Sequence, residues 1–299
     1  MAGKQVTELD ALPSFTDTNL VPVHNGAGLK KGRLSQLAEY LGTKFSNPNL
    51  LINPDFKINQ RGATSYEKQG YSVDRWKIWN VTVTPNTNGG ITVKNDKYTD
   101  SGNILQYLEN ATERESTLSC YVTSVSGTVT MVADDDSQVV LKQGLNVVHT
   151  SKSTKSFKIF LNKGTNITLG WVKLELGAVR TPFVAPNPAE ELVKCERFLL
   201  FTPSSMVGYR FDSYIYVYLE KLKNMRTNGT CSVRGINNDT SLLANGEGQS
   251  GVILGSGISV SKDKQFIRID VKNISTSFKT KVLGIDMNKT DIIIDSEIY

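Results

Sequence analysis

Between residues 50 and 185 apolar and polar positions alternate with a period of two, in short runs. ITVKN (91–95), LSCYVT (118–123), GTVTMVAD (127–134), VVLKQG (139–144), LNVVHT (145–150), FKIFLN (157–162) and ITLGWVKLEL (167–176) are such runs, split by Gly, Asn, Asp and Ser. Their spacing predicts an antiparallel β-sandwich. Helical spacing precedes them: Leu34, Leu37 and Leu41, with Ala38 and Phe45, share one face of a helix predicted over about 31–44, and Gly42 limits its end. The stretch before Gly28 has little periodicity; it holds Pro13, Asp17, Asn19, Pro22 and the turn-like His24-Asn25-Gly26. Pro182, Pro186 and Pro188 mark a linker. AEELVKCERFLLF (189–201) is a short helical or extended entry to a third section, and Glu190 and Glu191 suit a helix N-terminus. SYIYVYLE (213–220) then places Tyr214, Tyr216 and Tyr218 on one face and Ile215, Val217 and Leu219 on the other. CSVRGIN (231–237), GVILGSGISVS (251–261), FIRIDVK (266–272) and DIIIDSEIY (291–299) are further strands.

The expected fold is therefore mainly β in three parts. Residues 1–48 form an N-terminal extended stretch plus a short helix, 49–185 a β-sandwich, and 186–299 a second, C-terminal β-sandwich. The first part is too small to bury a core alone. Its leucine face must either self-associate or fold against the following domain.

Composition narrows the chemistry. The 299 residues carry a formal net charge of +5, with basic residues scattered among acids, so nucleic acid is not an expected partner. YEKQGYSVDRWKIWN (66–80) comes closest to a basic aromatic face, but Glu67 and Asp74 dilute it. Cys120, Cys195 and Cys231 are widely spaced and odd in number, and His24 and His149 are the sole histidines. Neither a disulfide framework nor a metal site is expected, and no cofactor. The beginning lacks the apolar core of a signal peptide, and no apolar run approaches a membrane span, so no membrane insertion is expected. No GxSxG or Walker A motif occurs. Asp134, Asp135 and Asp136 form the densest acidic cluster, at a position where a turn between strands is expected. No catalytic residue is assigned, and the chain is expected not to be an enzyme.

The candidate binding cluster is aromatic. Tyr66, Tyr71, Arg75 and Trp79 lie close in sequence beside Trp76. Exposed rings stack on sugar faces, and neighbouring polar groups hydrogen-bond the hydroxyls. Core packing competes with that role for Trp76 and Trp79, since Trp76 and Ile78 alternate with Lys77 and Trp79. Trp171 is expected to pack at least partly in the sandwich.

Asn53, Phe56, Ile58, Asn59, Gln60, Arg61 and Gly62, followed by Tyr71, Asp74, Arg75 and Trp76, resemble a pattern of phage tail-fibre and prophage structural proteins. Lys173, Leu174, Glu175, Gly177, Thr181, Pro182, Phe183, Glu191, Cys195 and Arg197 resemble the closing strand and exit of the same family. The leader resembles the attachment segment of many phage fibres. KNMRTNGTCSVRG (223–235) stands where the following β-domain often has a proline-containing run, and those prolines are absent.

The resemblance implies a jelly roll like carbohydrate-binding modules, and a homotrimeric virion fibre. Residues 1–48 would contact other virion structural proteins, the helix around Leu34, Leu37 and Leu41 would trimerise, and the distal domains would bind host-surface glycan. The place implied is the virion surface, after synthesis in the bacterial host cytoplasm. A capsid head fibre or decoration protein and a glycan-degrading tailspike are the alternatives.

Overall fold

The computed structural model describes residues 16, 19–24, 27–42, 45–134, 136–201, 205–211, 214–219, 224–226, 230–234, 241–246, 249–261, 266–271, 282–286 and 291–297. Residues 1–15 of the expected attachment segment, 1–48, lie outside them.

The chain is mainly β, built around a large antiparallel sheet. It begins with a hairpin of β1 (Leu20–His24) and β2 (Leu29–Arg33), part of which the sequence pattern left irregular. Helix α1 (Leu34–Gly42) follows directly, within the predicted span.

Ten strands come next: β3 (Tyr66–Tyr71), β4 (Lys77–Pro85), β5 (Ile91–Asn95), β6 (Gly102–Tyr107), β7 (Ser116–Ser126), β8 (Val129–Ala133), β9 (Gln138–Val140), β10 (Gly144–Thr150), β11 (Ser156–Leu161) and β12 (Thr165–Leu176). They pair in the order β10-β7-β12-β5-β4-β6-β11-β8-β9, with β3 on β4. β4 joins the two halves. Lys77 to Trp79 pair with β6, and Thr82 to Pro85 pair with β5. The change of partner falls at Asn80, whose φ is 50°. Gly102 makes the close approach there: a Cβ on it would lie 2.3 Å from the Asn80 carbonyl oxygen. Inward side chains of both halves form one buried cluster, with Leu118, Val122, Val172 and Leu174 meeting Ile104, Met131, Phe157 and Ile159. Trp76 sits in this core between Phe56 (4.7 Å between centroids) and Phe157 (5.9 Å). Alternation along each strand is thus the consequence of one face being buried.

Asp134 and Asp136 lie in the β8–β9 turn, as the pattern predicts. The Asp134 carboxylate accepts from Lys155 N (2.7 Å), Ser156 N and Ser156 Oγ (2.5 Å each), and Asp136 has φ 66°.

Helix α2 (Pro188–Glu196) is capped by Asn187, whose side chain accepts from Ala189 N at 2.9 Å, with Pro188 at the first position. Then come β13 (Leu199–Phe201), β14 (Ser205–Phe211), β15 (Tyr214–Tyr218), β16 (Thr230–Arg234), β17 (Ser241–Gly246), β18 (Gln249–Ser261), β19 (Phe266–Val271), β20 (Val282–Asp286) and β21 (Asp291–Asp295). Here the expectation of a second sandwich is corrected. β14-β15-β19-β18-β17-β20 close into a barrel, because β20 pairs with both β17 and β14; β13, β21 and β16 form a separate small sheet. Sandwich and barrel both bury one face of each strand, so alternation does not tell them apart. Along β15 the expected two faces hold, with Val217 buried and Tyr218 exposed.

Candidate functional site

The residues that carry the fibre-family resemblance fold into two internal knots. In the first, Asn53 adopts φ 55° and connects three segments. Its side-chain amide donates to the carbonyls of Ile58 (2.8 Å) and Asp74 (3.0 Å), and its Oδ1 accepts from Ile58 N (3.0 Å). Its carbonyl accepts from Trp76 Nε1 at 2.8 Å, and its N–H donates to Glu191 of α2 at 2.6 Å. Gln60 donates through its backbone and side chain to Asp74 and through Nε2 to the Leu199 carbonyl. Burial pushes the Asp74 carboxyl above its ordinary range, against these Gln60 hydrogen bonds and the Arg61 charge.

Arg75 belongs to this knot and not to an exposed face, which corrects the expectation that it meets solvent. It is 2 % exposed and has φ 71°. Its guanidinium pairs with the fully buried Glu297, donates to the Tyr107 carbonyl at 2.8 Å and lies 3.6 Å over the Phe198 ring. Burial also raises the Glu297 carboxyl above its ordinary value, opposed by Arg75 and Arg61. Arg61 lies 3.6 Å from Asp295 and 3.9 Å from both Asp74 and Glu297. The Asp-Arg-Trp triplet therefore locks the end of the chain to the large sheet.

The second knot ties entry to exit. Lys173 and Glu175, both buried, are 3.2 Å apart. Lys173 Nζ donates to Thr181 Oγ1 (2.6 Å), Pro182 O (2.9 Å) and Ser46 Oγ (3.1 Å), and Glu175 accepts from Thr181 N (2.9 Å). Burial lowers the Lys173 ammonium from its usual range, and Glu175 opposes that shift.

Tyr66 is half-buried against the core, and its hydroxyl donates to Asn59. Burial raises that phenol. Tyr71 and Trp79 lie on the opposite face of the sheet from it. Trp79 is 45 % exposed.

That outward face carries a surface groove. It has a volume of about 420 Å³, lined by Gln69, Lys77, Ile78, Trp79, Asn103, Leu105, Tyr107, Lys158 and Phe160. Strand register arranges the site. Gln69, Trp79, Asn103 and Phe160 are direct cross-strand neighbours on β3, β4, β6 and β11. The adjacent row is Tyr71, Lys77, Leu105 and Lys158. Lys77 Nζ lies 5.8 Å from the Tyr107 ring centroid. Asn103 Oδ1 has no hydrogen-bond partner among the described residues. The lining carries three aromatic rings (Trp79, Tyr107 and Phe160), two amides and two ammonium groups, and no carboxylate.

Sequence reasoning brought Tyr71 and Trp79 to this face but missed Asn103, Tyr107, Lys158 and Phe160. A signal existed for Phe160. With Phe157, Ile159 and Leu161 pointing inward, Phe160 is an aromatic residue at an outward phase of β11.

A larger cavity of about 670 Å³ lies beside it, sharing Tyr107, lined among others by Ile52, Gln106, Leu108, Glu109, Thr112, Glu113 and Arg114. Glu109 there is held bidentately by Arg197, both contacts 2.9 Å. Among the described residues no cluster could hold a metal ion, and no helix is long and apolar enough to cross a membrane. Cys120 and Cys195 are free and buried, and burial pushes the Cys120 thiol up to about 12. His149 Nδ1 is 3.0 Å from Thr117 Oγ1. In α1, Leu37 and Leu41 are 42 % and 44 % exposed, while Leu34 is half-buried.

No family model and no curated protein matches the chain. Among solved structures, a sugar-binding protein of Bacteroides thetaiotaomicron VPI-5482 aligns at TM-score 0.30 and 10% identity, over 44% of this chain and 100% of that one. The enzymatically active domain of tailspike protein 4 of bacteriophage CBA120 aligns at TM-score 0.27 and 12% identity, over 43% of this chain and 21% of that one. A cycloisomaltooligosaccharide glucanotransferase of Paenibacillus sp. aligns at TM-score 0.20 and 9% identity, over 78% of this chain and 46% of that one. Likenesses this low assign neither function nor ligand.

Proposed function

We propose that this chain is an adhesive structural fibre subunit of a bacteriophage particle, whose large sheet is a carbohydrate-binding jelly roll that holds host-surface glycan without cleaving it. The observation that carries the binding role is the groove around Trp79. A large, half-exposed indole beside Phe160, Tyr107 and the Asn103 and Gln69 amides has the composition of a sugar-stacking surface. The virion role rests on the sequence resemblance at Asn53–Gly62, Tyr71–Trp76 and Lys173–Phe183. Replacing Trp79 by alanine is expected to weaken binding of the purified chain to host cells or their surface glycan at least about tenfold, with no sugar released by either protein. Stability should change by less than about 0.5 kcal/mol, because the ring is outside the core. Unchanged binding by Trp79→Ala would remove the groove from the reading.

Self-association fits the same proposal. Leu37 and Leu41 are partly exposed, and three copies would cover that face and multiply weak glycan contacts by an avidity of about 10²–10⁴. Light scattering is expected to give three chain masses for the full chain and one for a Leu37→Glu, Leu41→Glu variant. A single-chain mass for the parent protein would remove the trimer.

A further inference from the structure

We propose that the ligand is an oligosaccharide bound along its chain, running from the groove past Tyr107 into the larger cavity at the end of β6, which is then a second sugar subsite; this rests on the reading of the groove as a glycan site. Tyr107 is common to the two linings. Ile104 of β6 lies in the core, so Asn103, Leu105 and Tyr107 occupy the outward phase of that strand. Asn103 is the cross-strand neighbour of Trp79. Tyr107 is thus two outward steps from the Trp79 row, about 14 Å. A single pyranose stacked on Trp79 is too short for that span, and a chain of about three or more is not. The path has one direction. At Asn80 β4 leaves β6 for β5, so the surface that the two strands share ends just past Trp79 and Asn103. At its other end lies the cavity, whose volume of about 670 Å³ is that of a small-ligand site.

The cavity has the chemistry for hydroxyl-bearing units. Leu50, Ile52, Leu108 and Leu176 supply its apolar lining, and residues 109–114, in the connection from β6 to β7, supply the polar one. Asn110, Glu113 and Arg114 are exposed and make no hydrogen bond or ion pair among the described residues. An amide, a carboxylate and a guanidinium together donate to and accept from hydroxyls. Each can exchange water for a sugar hydroxyl without breaking a bond inside the protein. Gln106, by contrast, is closed by two hydrogen bonds with the backbone of Ile52. The charges in the lining balance. Arg75 is paired with Glu297, Glu109 with Arg197, and Glu113 is offset by Arg114, so the subsite suits uncharged sugars rather than an anion.

The test is binding of the full chain to a glycan array on which each backbone is present as its mono-, di-, tetra- and hexasaccharide, followed by calorimetric titration with the members that bind. The expected result is an affinity that rises about tenfold or more from the disaccharide to the tetrasaccharide. Ala111→Trp puts a ring into the cavity lining, and a paired Asn110→Ala, Arg114→Ala variant strips its polar groups. Each should cut the gain with length to about twofold or less, and both should melt with the parent protein, since all three positions are exposed. Affinity independent of chain length, still lost in Trp79→Ala, overturns this inference and leaves the groove standing by itself. A length gain that survives both cavity variants also overturns it, because the chain then leaves the groove elsewhere. Binding to no saccharide overturns the glycan reading and this inference with it.

Discussion

Replacing Glu297 by alanine is expected to destabilise the protein by about 3–5 kcal/mol, because it leaves the Arg75 guanidinium buried without its counter-charge. Arg75 cannot escape to solvent. Its φ of 71° and the Asn53 and Trp76 contacts on either side hold its backbone, and the Phe198 ring and the Tyr107 carbonyl hold its head. Nor is the loss confined to one pair. Arg61 faces both Asp295 and Glu297, and Arg226 donates to the Ser296 carbonyl at 2.9 Å, so this end of the chain is gripped from several sides. Denaturant unfolding of the full chain checks the value. A paired Arg75→Met, Glu297→Leu variant should recover most of the loss, since two apolar groups do not leave a lone buried charge. A Glu297→Ala loss below about 1 kcal/mol would show that the ion pair is dispensable.

The same carboxyl sets a pH signature. Burial raises the folded Glu297 above its ordinary 4.5. A carboxyl with a raised folded value contributes stability that is fully present below the unfolded value and is lost as pH rises through the folded one. The destabilisation by Glu297→Gln, measured against the parent, should therefore be largest at or below about pH 4.5 and shrink as pH rises above it. The opposite slope would contradict the assignment of burial as the dominant cause.

Replacing Trp76 by alanine is expected to cost about 3–5 kcal/mol. The indole is fully buried between Phe56 and Phe157, and its Nε1 donates to the carbonyl of Asn53. Alanine would leave a cavity between two rings and remove the hydrogen bond that holds a residue in the left-handed region. Trp76→Phe keeps much of the packing and loses the bond, so it should fall between the parent and Trp76→Ala. The comparison with Trp79→Ala is the sharper check. Three positions further along, the ring points to solvent, and the expected stability change is several kcal/mol smaller. Equal losses at the two positions would mean that Trp79 is a core residue and that the groove is misassigned.

Much of this was legible in the sequence because it rests on local rules. Period-two alternation in residues 91–95, 157–162 and 167–176 identified strands with one buried face, and each is found as one. The leucine spacing located α1, and Glu190 and Glu191 suit a helix N-terminus, which is where α2 begins, although the pattern of that stretch is helical or extended alike and Pro188 reads as linker. The acidic triplet was read as a turn, and its described members lie in one.

The remainder depends on which strands become neighbours. Nothing local in β6 or β11 says that Asn103 and Phe160 will stand beside Trp79, because cross-strand pairs are set by register between segments some 25 to 80 residues apart. Nothing near Arg75 says that its charge will be met by Glu297, 222 positions away. That distance is why the arginine read as a ligand group: an Arg beside two tryptophans has the composition of a sugar site, and only the buried partner shows it to be a lock. Closure of the last strands into a barrel was equally out of reach, since it turns on β20 finding β14 as well as β17. Local period marked the strands and the buried side of many of them; tertiary structure decided which of Arg75, Trp76 and Trp79 is buried and which exposed side chains meet, because adjacency follows from long-range pairing.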